Sequence, residues 1–244
     1  MLQGKNILIT GSSKGIGAET ARLAKSYGAN VIVHGKTDSP ELNAIAQEIG
    51  AEKIVCDVRD RVAVFNEINK LLEKKIQIHC LANVAGATNR KPFMETIEED
   101  WFFAYETNVL GTVYMCQAII PSMQTEKCGR IVNIGSTRAH PQGAMASNLP
   151  YSASKAAVLN ITAALAREYA KDGISINSVS PGGTDTDIAK KWDAATLKRN
   201  SDVLLGCIAE PKEIAEVICF LLSDKASYAT GQDFLIDGGY VIGK

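Results

Sequence analysis

The stretch Asn6-Ile-Leu-Ile-Thr10-Gly-Ser-Ser-Lys-Gly15-Ile-Gly17 joins a short apolar run to a glycine-rich turn. The apolar run predicts a buried strand, and the residues from Gly15 onward follow a helical pattern. Glycines allow a tight turn, and they let backbone N–H groups approach a pyrophosphate at the helix N-terminus. The spacing is G-x-x-x-G-x-G, and a glycine-rich turn alone is sometimes only a turn. Its position between a strand and a helix favours a dinucleotide-binding site.

Beyond this turn, short apolar runs alternate with longer helical patterns along the chain, and no repeat or linker divides it. Runs that are apolar on both faces are typical of parallel strands covered by helices on both sides. We therefore predict a single-domain α/β fold over residues 1–244, a Rossmann-type doubly wound parallel sheet of about seven strands with helices on both faces. The predicted strands are 6–10, 30–34, 53–56, 78–82, 129–135, 174–180 and 233–236, and the predicted helices lie near 15–27, 39–49, 60–75, 98–124, 150–171, 187–205 and 211–222.

The composition argues against several classes of protein. The formal net charge of -1, with scattered basic residues, gives no general attraction to nucleic acid or to an anionic membrane. No apolar stretch reaches the roughly 18 residues of a membrane span, and we expect no signal peptide. The six cysteines form no C-x-x-C pair and no metal-like cluster with the three histidines, so we predict no metal site. Reduced, buried cysteines suit a cytoplasmic enzyme.

The residues after the second predicted strand decide which dinucleotide is expected. NAD sites place an acidic side chain at the end of this strand, about 20 residues beyond the glycines. Here the strand ends in His34-Gly-Lys36, and both Lys14 and Lys36 are placed to pair with a 2′-phosphate. Asp38 is the alternative ribose ligand, but we interpret it as a turn or capping residue ahead of a helix that starts at Ser39. The charges therefore predict NADP(H).

A second group of polar residues lies in the middle of the chain. Tyr151 and Lys155 fall on one face of a predicted helix, where a lysine ammonium favours the phenolate and lowers the tyrosine pKa. A phenol tuned in this way exchanges a proton with a carbonyl or an alcohol. Ser136 and Asn108 precede this pair. Each of the four residues alone has a structural interpretation, as a cap, a turn residue or a solvated side chain, but all four interpretations would have to hold at once.

With these residues in hand, the chain resembles the short-chain dehydrogenase/reductase family over nearly its whole length. Within that family it is most similar to the 3-ketoacyl-acyl-carrier-protein reductases and their secondary-metabolism relatives. The supporting motifs are Asp57-Val58 after the third strand, Asn83-Val-Ala-Gly86 after the fourth, Pro181-Gly-Gly-Thr-Asp-Thr186 after the sixth and Gly231-Gln-Asp-Phe-Leu-Ile-Asp-Gly-Gly239 near the end. Family members hold the adenine at the first of these motifs and the nicotinamide carboxamide at the third.

The resemblance implies a role for each matched residue. Ser136 would hydrogen-bond the substrate carbonyl and stabilise developing oxyanion charge, and Tyr151 would donate or remove the proton. Lys155 would bind the nicotinamide ribose, and Asn108 would hold a water that relays protons from Lys155 to solvent. The implied cofactor-binding residues are Gly11, Ser13, Lys14, Gly15, Ile16, Gly17, Lys36, Asp57, Val58, Asn83, Ala85, Gly86, Tyr151, Lys155, Pro181, Gly182, Thr184 and Thr186.

The substrate is left open, because the stretch from Ser136 to Tyr151 is longer than the family pattern and borders the substrate pocket in relatives. Arg138 and His140 in this stretch, with Arg90 after the fourth strand, are candidates for holding an anionic or polar substrate. The alternative is that these side chains are simply solvated, as exposed loop arginines usually are.

Two further segments bear on the substrate. Residues 184–206 are expected to form a mobile substrate lid, with Ile188, Trp192 and Ala195 as one apolar stripe at helical spacing. Trp192 either covers the substrate or packs on the body of the protein. Arg130 is a candidate contact for an acidic carrier protein that delivers the substrate, whereas Asp172 would repel such a partner.

The leading hypothesis is NADPH-dependent reduction of a small-molecule ketone, such as a 3-ketoacyl thioester or a natural-product carbonyl, to a secondary alcohol. The alternatives are oxidation of an alcohol with NAD(P) and a non-catalytic NADP(H)-binding sensor or scaffold, which would need no intact Ser–Tyr–Lys set. The helical patterns at 98–124 and 150–171 permit close packing within or between chains, and the resemblance implies a homotetramer.

Overall fold

The computed structural model describes residues 1–187 and 189–243, and within them seven parallel strands form one sheet. The strands are β1 (Asn6–Ile9), β2 (Asn30–Gly35), β3 (Glu52–Val55), β4 (Cys80–Asn83), β5 (Gly129–Ile134), β6 (Ile174–Pro181) and β7 (Asp233–Ile236). Their order across the sheet is β3-β2-β1-β4-β5-β6-β7. The predicted parallel sheet is therefore confirmed, and every predicted strand ends within two residues of the observed position.

Helices cover both faces of the sheet, as predicted. They are α1 (Gly15–Ser26), α2 (Pro40–Ile49), α3 (Arg61–Glu73), α4 (Glu98–Tyr105), α5 (Gly111–Glu126), α6 (Leu149–Tyr169), α7 (Ala194–Ser201) and α8 (Pro211–Leu221). Buried side chains of α1, α2 and α8 form the core on one face, and those of α3 and α5 form the core on the other. Each fully buried Leu or Ile in these cores contributes about 1.5–3 kcal/mol relative to an exposed one.

Local capping explains where several helices begin. The Ser39 hydroxyl accepts a hydrogen bond from Leu42 N at 3.2 Å, with Pro40 as the first helical residue, so the predicted start of α2 is confirmed. The Asp60 carboxylate caps α3 in the same way. Within the described residues, no helix combines the length and the hydropathy that a membrane span requires.

Two predicted helices differ from the structure. The helix predicted over 98–124 is divided by a π-helical turn at Glu106–Leu110, which lies between α4 and α5. The helix predicted over 187–205 was too long, because the Asp193 carboxylate caps α7 at Thr196 N (2.7 Å) and the helix starts only there. Trp192 therefore precedes the helix and the predicted apolar stripe is wrong, while Ile188 lies outside the described residues.

The order of the strands fixes where a ligand can bind. The chain runs outward in one direction through β2 and β3, and in the other through β5, β6 and β7, so the direction reverses between β1 and β4. Loops leave the carboxyl ends of β1 and β4 on opposite faces, and this opens a crevice at the edge of the sheet. The glycine-rich turn follows β1 and therefore lies at this crevice.

Candidate active site

The glycine-rich turn packs directly against neighbouring backbone. Gly11 has a φ of +66°, and a Cβ at this position would lie 2.8 Å from the Cα of Ala85, in the segment after β4. A Cβ at Gly17, inside the first turn of α1, would overlap the carbonyl oxygen of Gly11. Neither position accommodates a side chain, so the turn, α1 and the segment after β4 meet at backbone contact.

Two hydroxyl side chains for which no role was predicted hold this turn in place. The Thr10 hydroxyl accepts hydrogen bonds from Val84 N and Ala85 N, both at 3.0 Å, and so joins the ends of β1 and β4. The Ser12 hydroxyl accepts from His34 N at 2.7 Å. The sequence indicates this role only through position, because Thr10 immediately precedes Gly11 and Ser12 immediately follows it.

His34 joins the turn to the second and third strands. Its Nδ1 accepts a hydrogen bond from Gly11 N at 3.2 Å, and its Nε2 lies 3.0 Å from the carbonyl oxygen of Cys56. Burial lowers the pKa of His34 to about 4. The neutral ring accepts at Nδ1 and donates at Nε2, so His34 is a structural bridge and carries no charge toward a ligand.

The N-terminus of α1 is open toward the crevice. Lys14 is the N-cap residue, its side chain makes no capping bond, and the first turn contains no acidic residue. The free N–H groups and the partial positive charge of this helix end are therefore available to a pyrophosphate. The Lys14 ammonium is exposed and lies 4.0 Å from Asp187. Such an exposed pair is weak, so it leaves the ammonium available to a phosphate.

At the far end of the crevice, two cations surround Asp57. Arg59 donates to its carboxylate through Nη2 at 2.7 Å and Nε at 3.1 Å, and Lys36 Nζ lies 3.2 Å away. The hydrogen bonds from Arg59 hold the pKa of Asp57 well below its usual range. Arg59 was missed in the sequence. The Asp38 carboxylate instead accepts a hydrogen bond from Lys53 at 2.6 Å.

The segment after β6 lies across the crevice from the glycine-rich turn. A Cβ at Gly15 would lie 3.2 Å from Cγ2 of Thr186. The Thr184 hydroxyl donates to the carbonyl oxygen of Gly182 at 3.2 Å, which fixes the turn that leads to Thr186. The two predicted halves of the cofactor site therefore face each other.

Together these segments enclose a cleft of about 510 Å³. This volume falls in the range of about 300–1,000 Å³ that is typical of small-molecule and cofactor sites. The predicted residues that line it are Gly11, Ser13, Lys14, Gly15, Ile16, Gly17, Lys36, Asp57, Val58, Ala85, Gly86, Ser136, Tyr151, Lys155, Pro181, Gly182, Thr184 and Thr186. The glycine cradle, the open helix end and the cations at the far end fit a dinucleotide.

Of the predicted catalytic and cofactor-binding residues, Asn83 and Asn108 do not line the cleft. Asn83 is buried, and its Nδ2 donates to Oδ1 of Asn133 at 2.9 Å, which links β4 to β5. The structure thus places Asn83 within the sheet, behind the cofactor cleft. The residues that the structure describes contain no group of three His, Cys, Asp or Glu side chains that could hold a metal ion.

Ser136, Tyr151 and Lys155 meet at one end of the cleft. Ser136 follows β5, and its hydroxyl accepts from Arg138 N at 3.1 Å, which starts a short 3-10 turn. Tyr151 and Lys155 lie one turn apart on α6, with Lys155 Nζ 5.8 Å from the centre of the tyrosine ring. Lys155 is buried and donates to the carbonyl oxygen of Ile134 at 2.7 Å. The Ser136 hydroxyl is close enough to the phenol to act on its pKa.

Desolvation controls the ionisation of this group. It raises the pKa of Tyr151, against the smaller opposing effects of Ser136 and of the Arg138 charge. It also lowers the pKa of Lys155 to about 8. The sequence-based expectation of a lowered tyrosine pKa is therefore wrong for this structure, because desolvation of the phenol outweighs the effects of the neighbouring groups.

Asn108 is held rigidly behind the cleft. It lies in the π-helical turn, where its Oδ1 accepts from Ala87 N at 2.9 Å and its Nδ2 donates to Ala87 O at 3.0 Å and to Ser154 Oγ at 2.9 Å. A Cβ at Gly86 would lie 3.1 Å from Asn108 Oδ1 and 3.4 Å from Lys155 Nζ. Asn108 is thus close to Lys155, and its role in a proton relay stays a prediction.

The long stretch after Ser136 forms short 3-10 turns, and its two basic residues lie in different surroundings. Arg138 lines the cleft, whereas His140 does not. His140 Nε2 lies 2.9 Å from Oδ2 of Asp233 on β7, so the stretch is anchored to the sheet there. Of the three candidates for holding the substrate, Arg138 and Arg90 therefore remain.

Arg130 is not placed to receive a carrier protein at the mouth of the cleft. It is the second residue of β5, whereas the cleft lies at the carboxyl ends of the strands. Its guanidinium donates to Ser175 Oγ at 3.0 Å and to Asp224 at 3.1 Å. The expectation that Arg130 lies beside the cleft of its own chain is wrong, because the strand direction puts the residue at the opposite edge of the sheet, and its contact with a carrier protein stays a prediction.

Comparison with known proteins identifies the family. The family model described as Enoyl-(Acyl carrier protein) reductase (adh_short_C2) matches residues 11–241. The chain belongs to the short-chain dehydrogenase/reductase family. It is accordingly an oxidoreductase, and the resemblance stated from the motifs is confirmed.

Individual short-chain dehydrogenase/reductases are similar over the whole chain. The 3-oxoacyl-[acyl-carrier-protein] reductase FabG of Thermotoga maritima is 35% identical, covering 99% of this chain and 99% of the relative. The 2,3-dihydro-2,3-dihydroxybenzoate dehydrogenase of Escherichia coli is 34% identical, covering 98% of each. A solved structure described as a candidate gluconate dehydrogenase of Agrobacterium tumefaciens superposes with a TM-score of 0.94 at 28% identity, covering 98% of this chain and 97% of the other.

Proposed function

We propose that this protein reduces a ketone to a secondary alcohol with NADPH. The observation that carries the proposal is the Ser136 hydroxyl beside the Tyr151 phenol, with buried Lys155 one turn along α6, at one end of a cleft that fits a dinucleotide. When bound, NADPH supplies the hydride for the carbonyl carbon. The similarity to FabG supports the direction of reduction.

The residues of the chain carry out the other parts of the proposed reaction. Tyr151 donates the phenolic proton to the carbonyl oxygen, because its raised pKa keeps it protonated at neutral pH. Ser136 donates a hydrogen bond to the same oxygen, where negative charge develops. Lys155 binds the nicotinamide ribose and stabilises the phenolate left behind on Tyr151. Asn108 holds the Ala87 backbone beside Lys155.

The direct test is NADPH consumption by the purified protein with ketones of several classes, including 3-ketoacyl thioesters, cyclic and aromatic ketones, quinones and keto acids. Turnover of at least one class is expected. Binding of NADPH without turnover of any ketone would instead favour a sensor or scaffold, and oxidation of alcohols alone would favour a dehydrogenase.

Lys36 should determine the preference for NADPH. We expect Lys36→Ala to weaken NADPH binding about 10–100-fold, since a charge-assisted hydrogen bond of about 1.5–3 kcal/mol to the 2′-phosphate is lost. NADH binding should change little. Fluorescence titration of both cofactors measures the effect, with Lys53→Ala as the control because Lys53 pairs with Asp38 outside the cleft lining. Equal binding of NADH and NADPH by the unaltered protein would contradict the charge argument.

The position of Arg130 bears on the choice between a free and a carrier-bound substrate. The similar proteins are named for an acyl-carrier thioester, a dihydroxylated benzoate derivative and gluconate. Their names therefore include both carrier-bound and free substrates. Here Arg130 lies at the edge of the sheet away from the cleft, and its guanidinium is bound to Asp224. We therefore propose a small ketone that enters under residues 184–206, which act as a lid, in a cytoplasmic enzyme whose six cysteines are all free.

We also propose that the chains assemble as a homotetramer. Large apolar side chains are exposed on α4 and just before it, namely Phe93, Met94, Ile97, Trp101, Phe102 and Tyr105. Several large exposed apolar side chains on adjacent segments of the chain are typical of a protein–protein interface. Light scattering should give about four times the chain mass of 26.2 kDa, and a monomeric mass would contradict the proposal.

A further inference from the structure

Two cleft-lining arginines contact the same short helix. Arg90 Nη1 donates to Thr196 Oγ1 at 3.4 Å, and Arg138 Nη2 donates to Asn200 Oδ1 at 3.0 Å. Thr196 and Asn200 are buried one turn apart on α7, and Asn200 Nδ2 donates to Thr196 O at 2.8 Å. The two guanidinium groups therefore approach one face of α7 from two different loops.

These arginines carry charge that the chain does not neutralise directly. Among residues 1–187 and 189–243, no carboxylate lies within 4.0 Å of either guanidinium group. By contrast, the two acidic residues that line the cleft, Asp57 and Asp187, are each paired with lysine or arginine. The carboxylates at the cofactor end of the cleft are thus already paired with cations. The two arginines without a described carboxylate within 4.0 Å lie at the substrate end.

Arg138 presents one edge of its guanidinium group for further binding. Nη1 donates to Gly143 O at 2.9 Å and to Tyr240 Oη at 2.8 Å, while Nη2 makes a single bond, to Asn200. Nε makes no hydrogen bond to any residue in the described ranges. Nε and the second Nη2 hydrogen form the fork that binds both oxygens of a carboxylate.

A third arginine adds to the positive charge at α7. Arg199 Nη2 also donates to Thr196 Oγ1, at 3.2 Å, and its Nε is buried without a hydrogen-bond acceptor in the described part of the chain. A buried N–H without an acceptor is costly and calls for a partner. Asp193, which caps α7, lies close enough to Arg90 and Arg199 for their charges to lower its pKa. Its Oδ1 accepts a hydrogen bond from Thr196 N. Asp193 therefore offsets part of the charge of Arg90 and Arg199, whereas no described carboxylate lies within 4.0 Å of the Arg138 guanidinium group.

The Arg138 charge lies close to the residues that would hold the reacting carbonyl. It follows Ser136 by two residues, and its backbone N–H donates to the Ser136 hydroxyl at 3.1 Å. A group held by the Arg138 side chain is therefore fixed with respect to Ser136 and Tyr151.

We propose that the substrate is a ketone that also carries a carboxylate, and that Arg138 binds this carboxylate with the help of Arg90 while Ser136 and Tyr151 hold the carbonyl. The proposal rests on the proposed ketone reduction and names its substrate class. The carboxylate accepts at the free Nε–Nη2 edge of Arg138, so the bonds from the two arginines to Thr196 and Asn200 persist and keep α7 beside the bound group.

The test compares ketones in matched pairs, each presented once as the carboxylate and once as the primary carboxamide of the same skeleton. Two quantities are measured: kcat/KM with NADPH, and equilibrium binding of the corresponding hydroxy acids and hydroxy amides to the NADP⁺ complex by calorimetry. The variants are Arg138→Met, Arg138→Lys and Arg90→Gln. Arg61→Met is the matched control, because Arg61 is exposed on α3 and does not line the cleft.

We expect the unaltered protein to prefer the carboxylates about 10–100-fold, the range of one charge-assisted hydrogen-bond pair. Arg138→Met should abolish the preference through KM, Arg138→Lys should restore part of it, and Arg90→Gln should reduce it. Equal use of acids and amides, absence of acid binding, or a preference that survives Arg138→Met would each overturn the proposal. If acids bind in a way that depends on Arg138 but no ketone is turned over, the anion site is supported and the reductase function is rejected.

Discussion

Tyr151→Phe should lower kcat/KM for ketone reduction by about 10²–10⁴-fold, the usual contribution of a positioned general acid. In the proposed reaction the phenol beside the Ser136 hydroxyl donates the proton, and phenylalanine has no proton to give. Phenylalanine keeps the ring that packs at the start of α6, so NADPH should bind with unchanged affinity. Steady-state kinetics with the best ketone, together with NADPH titration, separates the two effects.

Tyr169→Phe provides the matched control. Tyr169 is the last residue of the same helix and packs against the core away from the cleft. Its replacement should leave both kinetics and cofactor binding unchanged. Retention of more than a tenth of the activity by Tyr151→Phe would exclude the phenol as the proton donor and would shift attention to Ser136 or to a bound water.

The pH dependence of the unaltered enzyme follows from the same residues. Tyr151, with its raised pKa, stays protonated across the neutral range, whereas Lys155 loses its proton as the pH rises through about 8. In the proposed reaction the Lys155 ammonium stabilises the phenolate that forms during proton transfer, so kcat/KM for reduction should be level below about pH 8 and fall above it. A rate that rises with pH through this region would contradict the assigned charge of Lys155.

The sheet was predictable because the strands are short, mostly apolar runs bounded by turn residues. The first strand and its turn also fixed the ligand site, since a glycine-rich turn after β1 can lie only at the switch point between β1 and β4. Ser39 and Pro40 marked the start of α2 through local chemistry alone. In all these cases the residues that determine the feature are close together in the sequence.

The parts that were missed depend on contacts between distant residues. The Asp57 carboxylate brings Lys36, from the loop after β2, beside Arg59, and His34 acts through Gly11 and Cys56, and neither arrangement has a local signal. The expected net lowering of the tyrosine pKa was wrong because the spacing of two residues on a helix shows neither how deeply the phenol is buried nor where the Lys155 ammonium points. In the structure it points to Ile134 O, and desolvation dominates.

Gly17→Ala should destroy cofactor binding while much of the sheet remains intact. The new methyl group would overlap the carbonyl oxygen of Gly11, and the atoms around it are backbone that cannot rotate away. The start of α1 must therefore move away from the turn. Loss of two or more hydrogen bonds to the pyrophosphate, at about 1.5–3 kcal/mol each, should weaken NADPH binding by about a hundredfold or more. The overpacking should also lower the free energy of unfolding by about 1–3 kcal/mol.

Gly50→Ala separates loss of stability from loss of the site. Gly50 ends α2 with a φ of +58°, and a Cβ there meets nothing within 4 Å, so the substitution costs only the backbone strain of about 1 kcal/mol. The control should melt at a lower temperature and bind NADPH normally, whereas Gly17→Ala should lose binding well below its own melting temperature. Comparable NADPH affinity in the two variants would mean that α1 adapts to a methyl group at position 17, and the close backbone contact would then not be what builds the phosphate site.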